Sequence, residues 1–233
     1  LANIQNMSYE HLLITPENFE RYLSRFAGEK EARNRDLANP SFWKGKGVFI
    51  TGISGFVGSH LADKLLSFGS EVSGLVRRHS TFLYPNLKES LGSIRLIEGD
   101  VCDYQSLESA LSQSQPDIVF HLAAQSFVPT SFSVPLTTYE ANSTGTANLL
   151  EAVRNSSTQI QAIHIAGSSE EYGKVDPKFL PINESTPLAP MSPYAISKVA
   201  TDQISCMYHW IYGLPTVITR GFNHAGSRRG LHF

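Results

Sequence analysis

Tyr194 and Lys198 stand four positions apart in the segment SPYAISKVA, residues 192–200. On a helix, four residues make about one turn, so the phenol and the ammonium would lie on the same face. Tyrosine is one of the side chains that act as a general acid or base in enzymes. The same pattern also arises by chance on ordinary helices, so the rest of the sequence decides how much weight it carries.

A run of three glycines, Gly52, Gly55 and Gly58, lies in ITGISGFVGSHL between an apolar stretch and an amphipathic one. Glycines allow the backbone to turn tightly and to approach a pyrophosphate, while the N-terminus of a following helix offers free N–H groups and a favourable dipole. In this strand–turn–helix context the run predicts a dinucleotide-binding loop. The alternative is a tight connection that holds no ligand.

Two arginines, Arg77 and Arg78, end the next apolar stretch. They lie about 20 residues past the last glycine, where an acidic residue would hold the ribose 2′-hydroxyl of NAD. A guanidinium suits the 2′-phosphate of NADP instead, because it binds phosphate well. The sequence therefore predicts NADP as the cofactor, with NAD as a second choice. The alternative is a pair of solvated surface arginines.

Polar or small residues follow three further apolar stretches. Asp100 in EGDV is placed either to accept from the amino group of an adenine, with Val101 against the ring, or to close a simple turn. In HLAAQS, Ala123 and Ala124 let a flat cofactor lie close to the strand end, where open α/β sheets bind ligands. In GSSEEYG, residues 167–173, hydroxyls and carboxylates either point into the same crevice or form a turn with a helix cap.

Short apolar stretches alternate with amphipathic helical ones from residue 46 onwards. This alternation predicts an α/β fold with a doubly wound parallel (Rossmann) sheet of about six strands. The predicted strands are KGVFITG, EVSGLVR, IRLIEGD, DIVFHLA, IQAIHIAG and PTVITR. The predicted helices are FVGSHLADKLLSFG, TYEANSTGTANLLEAVRN and the long YAISKVATDQISCMYHWIYG.

Residues 1–43 differ from the alternating part, residues 44–233, which we interpret as the NADP-binding domain. Thr15 followed by Pro16 is typical of a helix start, so we predict a partly helical N-terminal extension. The composition suggests no chemistry for it, and packing against the main domain or contact with a partner is its expected role.

The composition excludes several classes of protein. The formal net charge of −2 over 233 residues gives no reason to expect nucleic acid as a partner. The two cysteines, Cys102 and Cys206, form no Cys/His cluster, so no metal site is expected. No stretch resembles a signal peptide or a membrane span, which predicts a soluble cytoplasmic protein with no membrane partner.

Taken together, these motifs resemble the extended short-chain dehydrogenase/reductase family, also called the NAD-dependent epimerase/dehydratase family. The resemblance extends from about residue 46 to the end of the chain. Within that family the chain is most similar to the branch of GDP-mannose 4,6-dehydratases and GDP-4-keto-6-deoxymannose reductases. The segments that carry this similarity are GLVRRHS, HLAAQSFV, GSSEEYG, MSPYAISKVA and RGFNHAGSRRG.

The resemblance implies roles for individual residues. Tyr194 would be the catalytic acid/base, with Lys198 lowering its pKa and holding the nicotinamide ribose. Ser168 would hydrogen-bond the sugar hydroxyl, and Glu170 would be the catalytic carboxylate. The implied cofactor-binding residues are Gly52, Gly55, Phe56, Val57, Gly58, Arg77, Arg78, Asp100, Val101, Leu122, Ala123, Ala124, Gln125, Tyr194, Lys198, His224 and Arg229. The implied substrate-binding residues are Ser126, Ser168 and Asn223.

The family's chemistry suggests an NADP-dependent nucleotide-sugar 4,6-dehydratase, a lyase, with GDP-mannose as the expected substrate. Hydride transfer at C4 and loss of water across C5 and C6 would be the reaction, in a homo-oligomer that is a dimer or tetramer. A GDP-4-keto-6-deoxymannose reductase or another nucleotide-sugar epimerase or dehydratase is the nearest alternative. Family members continue beyond the Arg-Arg-Gly motif, and here the chain stops at Phe233, so most of their substrate domain is expected to be absent. That expectation keeps open another class, a non-catalytic subunit that holds a cofactor.

Overall fold

The sheet of the computed structural model is parallel throughout and follows the order β3-β2-β1-β4-β5-β6. This order confirms the predicted doubly wound Rossmann fold. The structure describes residues 40–78 and 84–230. The strands are β1 (Gly47–Thr51), β2 (Glu71–Val76), β3 (Arg95–Glu98), β4 (Ile118–His121), β5 (Ala162–Ala166) and β6 (Thr216–Thr219).

Seven α-helices lie within the described residues. They are α1 (Pro40–Trp43), α2 (Phe56–Ser67), α3 (Tyr104–Ser114), α4 (Val128–Ser133), α5 (Pro135–Tyr139), α6 (Gly145–Asn155) and α7 (Pro193–Tyr212). Short 3₁₀ turns occur at Pro85–Leu87, Leu91–Ser93, Ser169–Tyr172 and Pro177–Phe179. The chain divides into two units, Leu1–Lys44 and Gly45–Phe233. The helix predicted near Thr15 lies outside the described residues, so a partly helical extension stays a prediction.

The hydrophobic core lies between the sheet and the helices on one of its faces. Phe49 of β1 and Val119 of β4 are fully buried there, as are Leu111 of α3 and Leu149 and Leu150 of α6. Neighbouring residues of a strand point to opposite faces, so Val48 and Ile50 are buried on the other side of β1. Burial on both faces explains why the strands are almost continuously apolar.

Helix α3 fills a stretch to which the sequence analysis assigned no element. Two parallel strands cannot be joined by a hairpin, so β3 and β4 require a crossover of this kind. Asp103 caps the helix, because its side chain accepts a hydrogen bond from the backbone N–H of Gln105 at 3.0 Å. The helix ends at Gln115, which adopts a left-handed φ of 40°. Aspartate is a typical N-cap residue, so Asp103 is a sequence signal for the start of this helix.

The helix predicted for residues 138–155 is interrupted by a wide π-turn, Glu140–Thr144. The buried side chain of Asn142 sits in this turn and bridges two neighbouring elements. Its Nδ2 donates to Ser197 Oγ of α7 at 2.9 Å, and its Oδ1 accepts from the N–H of Gln125 at 2.7 Å. A π-turn of this kind often marks a functional region. Here it allows the Asn142 side chain to bond both Ser197 and Gln125.

A chain of buried hydrogen bonds connects the central strands to this turn. Thr51 Oγ1 lies 2.7 Å from His121 Nδ1, and His121 Nε2 lies 3.1 Å from Thr146 Oγ1. Thr146 donates in turn to the carbonyl of Asn142 at 2.6 Å, and that carbonyl also accepts from Thr201 of α7. Burial lowers the pKa of His121 to about 3, so the imidazole is neutral at physiological pH.

Close backbone contacts explain two of the three glycines. Gly52 has a φ of +73°, and a Cβ placed on it would lie 2.8 Å from the backbone N of Ala123. A Cβ on Gly58 would lie 2.3 Å from the carbonyl oxygen of Gly52, far inside van der Waals contact. The turn between β1 and α2 therefore leaves no room for a side chain at either position.

The substitution Gly58→Ala tests this packing. The new methyl group meets backbone rather than a movable side chain, so we expect a loss of stability of about 1–3 kcal/mol, despite the better helix propensity of alanine. Urea unfolding followed by circular dichroism measures the difference. Gly92→Ala is the matched control, because no heavy atom lies within 4 Å of a Cβ there. Equal effects of the two substitutions would contradict this account.

Candidate active site

The predicted site residues gather at one edge of the sheet. In a parallel sheet every strand ends at the same edge, and in open α/β sheets this edge binds ligands. The glycine turn follows β1 there, residues 122–126 follow β4, and the Ser169–Tyr172 turn follows β5. The N-terminal half of α7 supplies Tyr194 and Lys198 to this region, as the hydrogen bond from Lys198 to the end of β5 demonstrates.

Helix α7 begins immediately before the tyrosine. Ser192 caps it, with its side chain accepting from the N–H of Ala195 at 3.0 Å, and Pro193 occupies the first turn. Tyr194 is 9% exposed and Lys198 is 6% exposed. The Lys198 Nζ lies 6.0 Å from the centroid of the Tyr194 ring and donates to the carbonyl of Ala166 at 2.7 Å. The two side chains therefore share one buried face of the helix.

Burial controls the ionisation of this pair. It raises the pKa of Tyr194, and the nearby charges of Glu170 and Glu171 raise it further, while a hydrogen bond with Ser168 acts in the opposite direction. Burial also lowers the pKa of Lys198 to about 8, against the influence of Glu171. The resemblance to the family implied that Lys198 lowers the pKa of Tyr194. The net shift is upward, because desolvation of the phenol is the largest effect, and a lowering by Lys198 stays a prediction.

Ser168 and Glu170 lie on the 3₁₀ turn after β5. Ser168 is buried, and its Oγ accepts from the N–H of Glu170 at 3.2 Å. Glu171 completes a capping box, since its Oε1 accepts from the N–H of Ser168 at 2.7 Å. Glu170 is exposed at the sheet edge. The segment thus forms a capped turn and faces the phenol of Tyr194 at the same time, so the two interpretations of GSSEEYG are compatible.

A buried ionic cluster beneath this turn was not anticipated from the sequence. Arg220 follows β6, and its Nε and Nη2 lie 2.8 Å and 2.7 Å from Asp202 Oδ2 of α7. Its Nε also lies 3.2 Å from Glu171 Oε2. Glu171 is 0% exposed and Asp202 is 3% exposed. Burial raises the pKa of Glu171 to about 8, and the neighbouring Asp202 carboxylate raises it too.

The glycine turn has the shape of a phosphate cradle. Gly55 precedes α2 in an extended conformation and is exposed, and a Cβ on it would come within 3.2 Å of the Gly52 carbonyl oxygen. The absent side chain leaves the N-terminus of α2 open to a pyrophosphate, with Phe56 half-buried and Val57 exposed beside it. These residues fit a dinucleotide, and their contacts with it stay predictions.

The residues predicted to hold the adenosine part differ in exposure. Arg77 and Arg78 are both exposed directly after β2, as a 2′-phosphate contact requires. Asp100 Oδ1 accepts from the N–H of Cys102 at 2.9 Å, so this carboxylate does close a turn. Val101 is 9% exposed and belongs to the hydrophobic core. Its side chain is thus largely committed to packing, which leaves little of it for an adenine ring.

The segment after β4 is held by hydrogen bonds of its own. The N–H of Ala123 donates to Thr51 Oγ1 at 3.2 Å. Gln125 donates from Nε2 to Thr138 Oγ1 at 3.1 Å and accepts at Oε1 from the N–H of Phe127 at 2.7 Å. Both ends of its side-chain amide therefore form hydrogen bonds within this part of the chain. Of the other predicted residues of this segment, Leu122 and Ala124 are half-buried and Ser126 is exposed.

The last predicted motif, in RGFNHAGSRRG, lies against α2. Arg228 Nη1 forms an ion pair with Asp63 at 2.6 Å, and His60 Nε2 lies 3.0 Å from the carbonyl oxygen of Ser227. This contact brings the motif next to the helix of the glycine turn. Within the motif, the side chains of Asn223 and His224 are exposed and that of Arg229 is half-buried.

A polar depression of about 490 Å³ lies at the opposite edge of the sheet, among the amino ends of β1 and β2 and around Asp117. It contains none of the candidate residues, so we do not assign it to the site. Within residues 40–78 and 84–230, no three His, Cys, Asp or Glu side chains are grouped so that they could hold a metal ion. Over the same ranges no helix combines the length and the apolar character needed to cross a bilayer.

The chain is similar to known proteins over most of its length. The family model for GDP-mannose 4,6 dehydratase matches residues 49–233. GDP-mannose 4,6 dehydratase 1 of Arabidopsis thaliana is 40% identical over 197 residues, which are 80% of this chain and 54% of that protein. The chain spans about half the length of the curated relatives it matches.

Solved structures share the fold. The dTDP-glucose 4,6-dehydratase DesIV of Streptomyces venezuelae, with NAD and TYD bound, has a TM-score of 0.69 at 30% identity and covers 78% of this chain and 57% of its own. RMD from Pseudomonas aeruginosa, complexed with NADPH, has a TM-score of 0.64 at 30% identity and covers 81% of this chain and 57% of its own. The family resemblance predicted from the sequence is confirmed by these similarities.

The ionisation of Glu171 has a measurable consequence. Burial raises its pKa from 4.5 to about 8, so the folded chain holds a proton that the unfolded chain releases between these values. The stability contributed by this proton is complete below the unfolded pKa and is lost as the pH rises through the folded one. We expect the free energy of unfolding to fall more steeply from about pH 5 to about pH 7 in the parent than in Glu171→Gln. Urea titrations measure both slopes, and parallel slopes would contradict the raised pKa.

Proposed function

Since the chain belongs to the GDP-mannose 4,6-dehydratase family, we propose that it carries the NADP-binding and catalytic part of a nucleotide-sugar 4,6-dehydratase acting on GDP-mannose. The observation that supports this function most directly is the convergence of Ser168 and Glu170 on the buried phenol of Tyr194. The Ser168 hydroxyl is hydrogen-bonded to this phenol and the charge of Glu170 acts on it, so one hydrogen-bonding group and two proton-transfer groups lie near one another at the strand edge. A cytoplasmic location and a dimeric or tetrameric assembly stay predictions from the family.

Tyr194 is the residue we assign to the first proton transfer. Its phenol would accept the proton of the sugar C4 hydroxyl, which Ser168 holds by a hydrogen bond. NADP, when bound, supplies a positively charged ring and the chemistry of accepting and returning a hydride. Because burial raises the pKa of the phenol, a positive charge close to it is needed before it can act as a base near neutral pH.

Lys198 provides the protein's own positive charge at this place. Its ammonium carries three donors, and one of them is used on the carbonyl of Ala166. The remaining donors suit the hydroxyls of the nicotinamide ribose. With a pKa lowered to about 8, Lys198 is still mostly protonated at pH 7, although it loses its charge within the mildly alkaline range. Both its position and its charge therefore support the role that the family resemblance implies.

Glu170 is the residue we assign to the elimination. A ketone at C4 acidifies the hydrogen on C5, so a carboxylate close by can remove that proton while water leaves from C6. Glu170 is exposed on the turn after β5, and its charge acts on the phenol of Tyr194, which indicates that the two groups are close. Glu171 is unsuited to this task, because its side chain is 0% exposed and faces Arg220.

The experiment that tests the function uses GDP-mannose and a catalytic amount of NADP⁺ with the full-length protein. We expect formation of the 4-keto-6-deoxy sugar, detected by mass spectrometry. Tyr194→Phe removes the proton acceptor, so the rate should fall by about 10²–10⁴-fold. Oxidation of NADPH by the 4-keto-6-deoxy sugar, without dehydration of GDP-mannose, would instead support the reductase. Cofactor binding with neither reaction would support the non-catalytic subunit.

Glu170→Gln separates the two proton transfers. It keeps the size and hydrogen bonding of the side chain but removes the base for C5, so we expect reduced cofactor to accumulate, seen by absorbance, with little product. Glu108→Gln on the exposed side of α3 is the matched control and should behave like the parent. A Glu170→Gln protein that dehydrates GDP-mannose at the parent rate would remove Glu170 from the mechanism.

The exposed pair Arg77 and Arg78 makes a prediction about the cofactor. Each charged contact to a 2′-phosphate is worth about 1.5–3 kcal/mol, which corresponds to roughly tenfold or more in affinity. Arg77→Ala and Arg78→Ala should therefore weaken NADP binding at least tenfold and leave NAD binding nearly unchanged. Fluorescence titration with both cofactors measures this, with Arg95→Ala at the start of β3 as the control. An unchanged preference would make the arginines solvated bystanders.

A further inference from the structure

Arg220 connects the elements that carry the candidate catalytic side chains. Its guanidinium binds Asp202 of α7 through Nε and Nη2. Its Nη1 donates to the Tyr172 hydroxyl and to the carbonyl of Glu184, both at 3.2 Å, and its charge lies 5.3 Å from the centroid of the Tyr172 ring. Together with Glu171, these contacts place one side chain between β6, the turn after β5 and α7.

The contact continues from Arg220 to the backbone of the catalytic turn. Glu171 Oε2 lies 3.2 Å from Arg220 Nε, while its Oε1 accepts from the N–H of Ser168 at 2.7 Å. The Ser168 Oγ accepts in turn from the N–H of Glu170. The Glu171 carboxylate therefore connects the guanidinium of Arg220 to Ser168, and Ser168 connects it to the backbone of Glu170.

The other carboxylate of the cluster fixes the helix. Asp202 lies four residues after Lys198, and both side chains are buried on α7. Residues at this spacing lie on one face, so the ion pair with Arg220 holds the rotation of the helix that presents Tyr194 and Lys198. We propose that Arg220 is a positioning residue that sets the turn with Ser168 and Glu170 against the helix with Tyr194 and Lys198 for the proposed dehydration. This assignment rests on the function proposed above.

A contribution to the stability of the fold is a weak explanation for the ionic cluster of Arg220, Glu171 and Asp202. Burying ions costs several kcal/mol each, and well-packed apolar side chains often replace such clusters without loss. Two backbone hydrogen bonds already attach the turn to the end of β6, from Gly167 N to Thr219 O at 2.7 Å and from Ser169 N to Gly221 O at 2.9 Å. The link that Arg220 adds is the one between the turn and α7.

The charges of the cluster do not balance without a proton. One guanidinium faces two buried carboxylates, and no described residue donates a hydrogen bond to Glu171 Oε2. The titratable groups around Glu171 are Arg220 after β6, Tyr172 of the same turn, and four residues of α7, which are Tyr194, Lys198, Asp202 and Cys206. Burial raises the pKa of Glu171 to about 8, so near pH 7 the acid is mostly protonated and the cluster is neutral.

Arg220→Met tests the positioning role in the full-length protein. Misplacement of reacting groups by about 1 Å can cost about 10²-fold in rate, so we expect kcat for dehydration to fall by that factor. KM for GDP-mannose and the Kd for NADP should stay within about twofold, since the guanidinium of Arg220 is engaged by Asp202, Glu171 and Tyr172, none of which is a candidate ligand-binding residue. Arg154→Met is the matched control, because it removes another arginine paired with a glutamate, Glu151 of α6. A folded Arg220→Met protein with the parent kcat would overturn the proposal.

Hydrogen exchange gives a second readout that needs no activity. In Arg220→Met we expect peptides that contain the amides of Ser168 to Tyr172 to exchange at least about tenfold faster, a change of about 1.4 kcal/mol in local opening. Peptides from β1 and α2 should be unchanged. If the parent fails to dehydrate GDP-mannose but this pattern is seen, the proposed function is wrong and the positioning role of Arg220 stands. Exchange that is faster throughout the protein, or unchanged, overturns the positioning role.

Two substitutions of Glu171 separate geometry from charge. Glu171→Gln keeps an oxygen for the Ser168 N–H and an N–H₂ group that can donate to Asp202, as the protonated acid would. Glu171→Leu keeps the volume and removes both contacts. We expect kcat of Glu171→Leu to fall about as much as that of Arg220→Met. We expect Glu171→Gln to keep most of the parent kcat near pH 7. Equal losses in the two variants would exclude transmission through the hydrogen bond to Ser168.

Discussion

The buried hydrogen-bond chain from Thr51 through His121 and Thr146 to the carbonyl of Asn142 is the interaction on which the rest of the site depends. It joins the strand before the glycine turn to the strand beside it, and then to the π-turn that contacts α7. Each member is almost completely buried, so an unpaired group anywhere in the chain would cost about 1–3 kcal/mol. The strand before the glycine turn and the helix that carries Tyr194 and Lys198 are therefore connected by one continuous set of buried hydrogen bonds.

Burial also decides the charge of the site. It raises the pKa of Tyr194, lowers that of Lys198 to about 8 and raises that of Glu171 to about 8. All three groups are pushed towards their neutral forms, and two of them change charge only slightly above physiological pH. In such a low-dielectric region a single added charge has a large influence on its neighbours. A positively charged ring bound beside Tyr194 would therefore favour the ionised phenol.

The sequence predicted those features that depend on residues close together in the chain. Apolar stretches predicted all six strands, and the glycines and the Tyr-x-x-x-Lys spacing predicted where the site would form. Asp202, Arg220 and Glu171 could not be found in that way, because each lies in a different segment and the three meet only when β5, β6 and α7 pack. The π-turn at Asn142 was not predicted for the same reason, since the side chain in this turn bonds to Ser197, which is distant in the sequence. The raised pKa of Tyr194 depends on burial, which no spacing encodes.

The strand order has a consequence for how the chain acquires its structure. β1 pairs with β2, which follows it closely, and on its other edge with β4, where Thr51 is in register with His121, 70 residues further along. Contacts that close such long loops form slowly, because the entropy of closure is lost before the pairing is gained. During synthesis from the N-terminus, β1, β2 and β3 can assemble with α2 before β4, β5 and β6 have left the ribosome. The half of the sheet with the glycine turn, which is proposed to bind the nucleotide, thus provides the template on which the half proposed to transfer protons is built last.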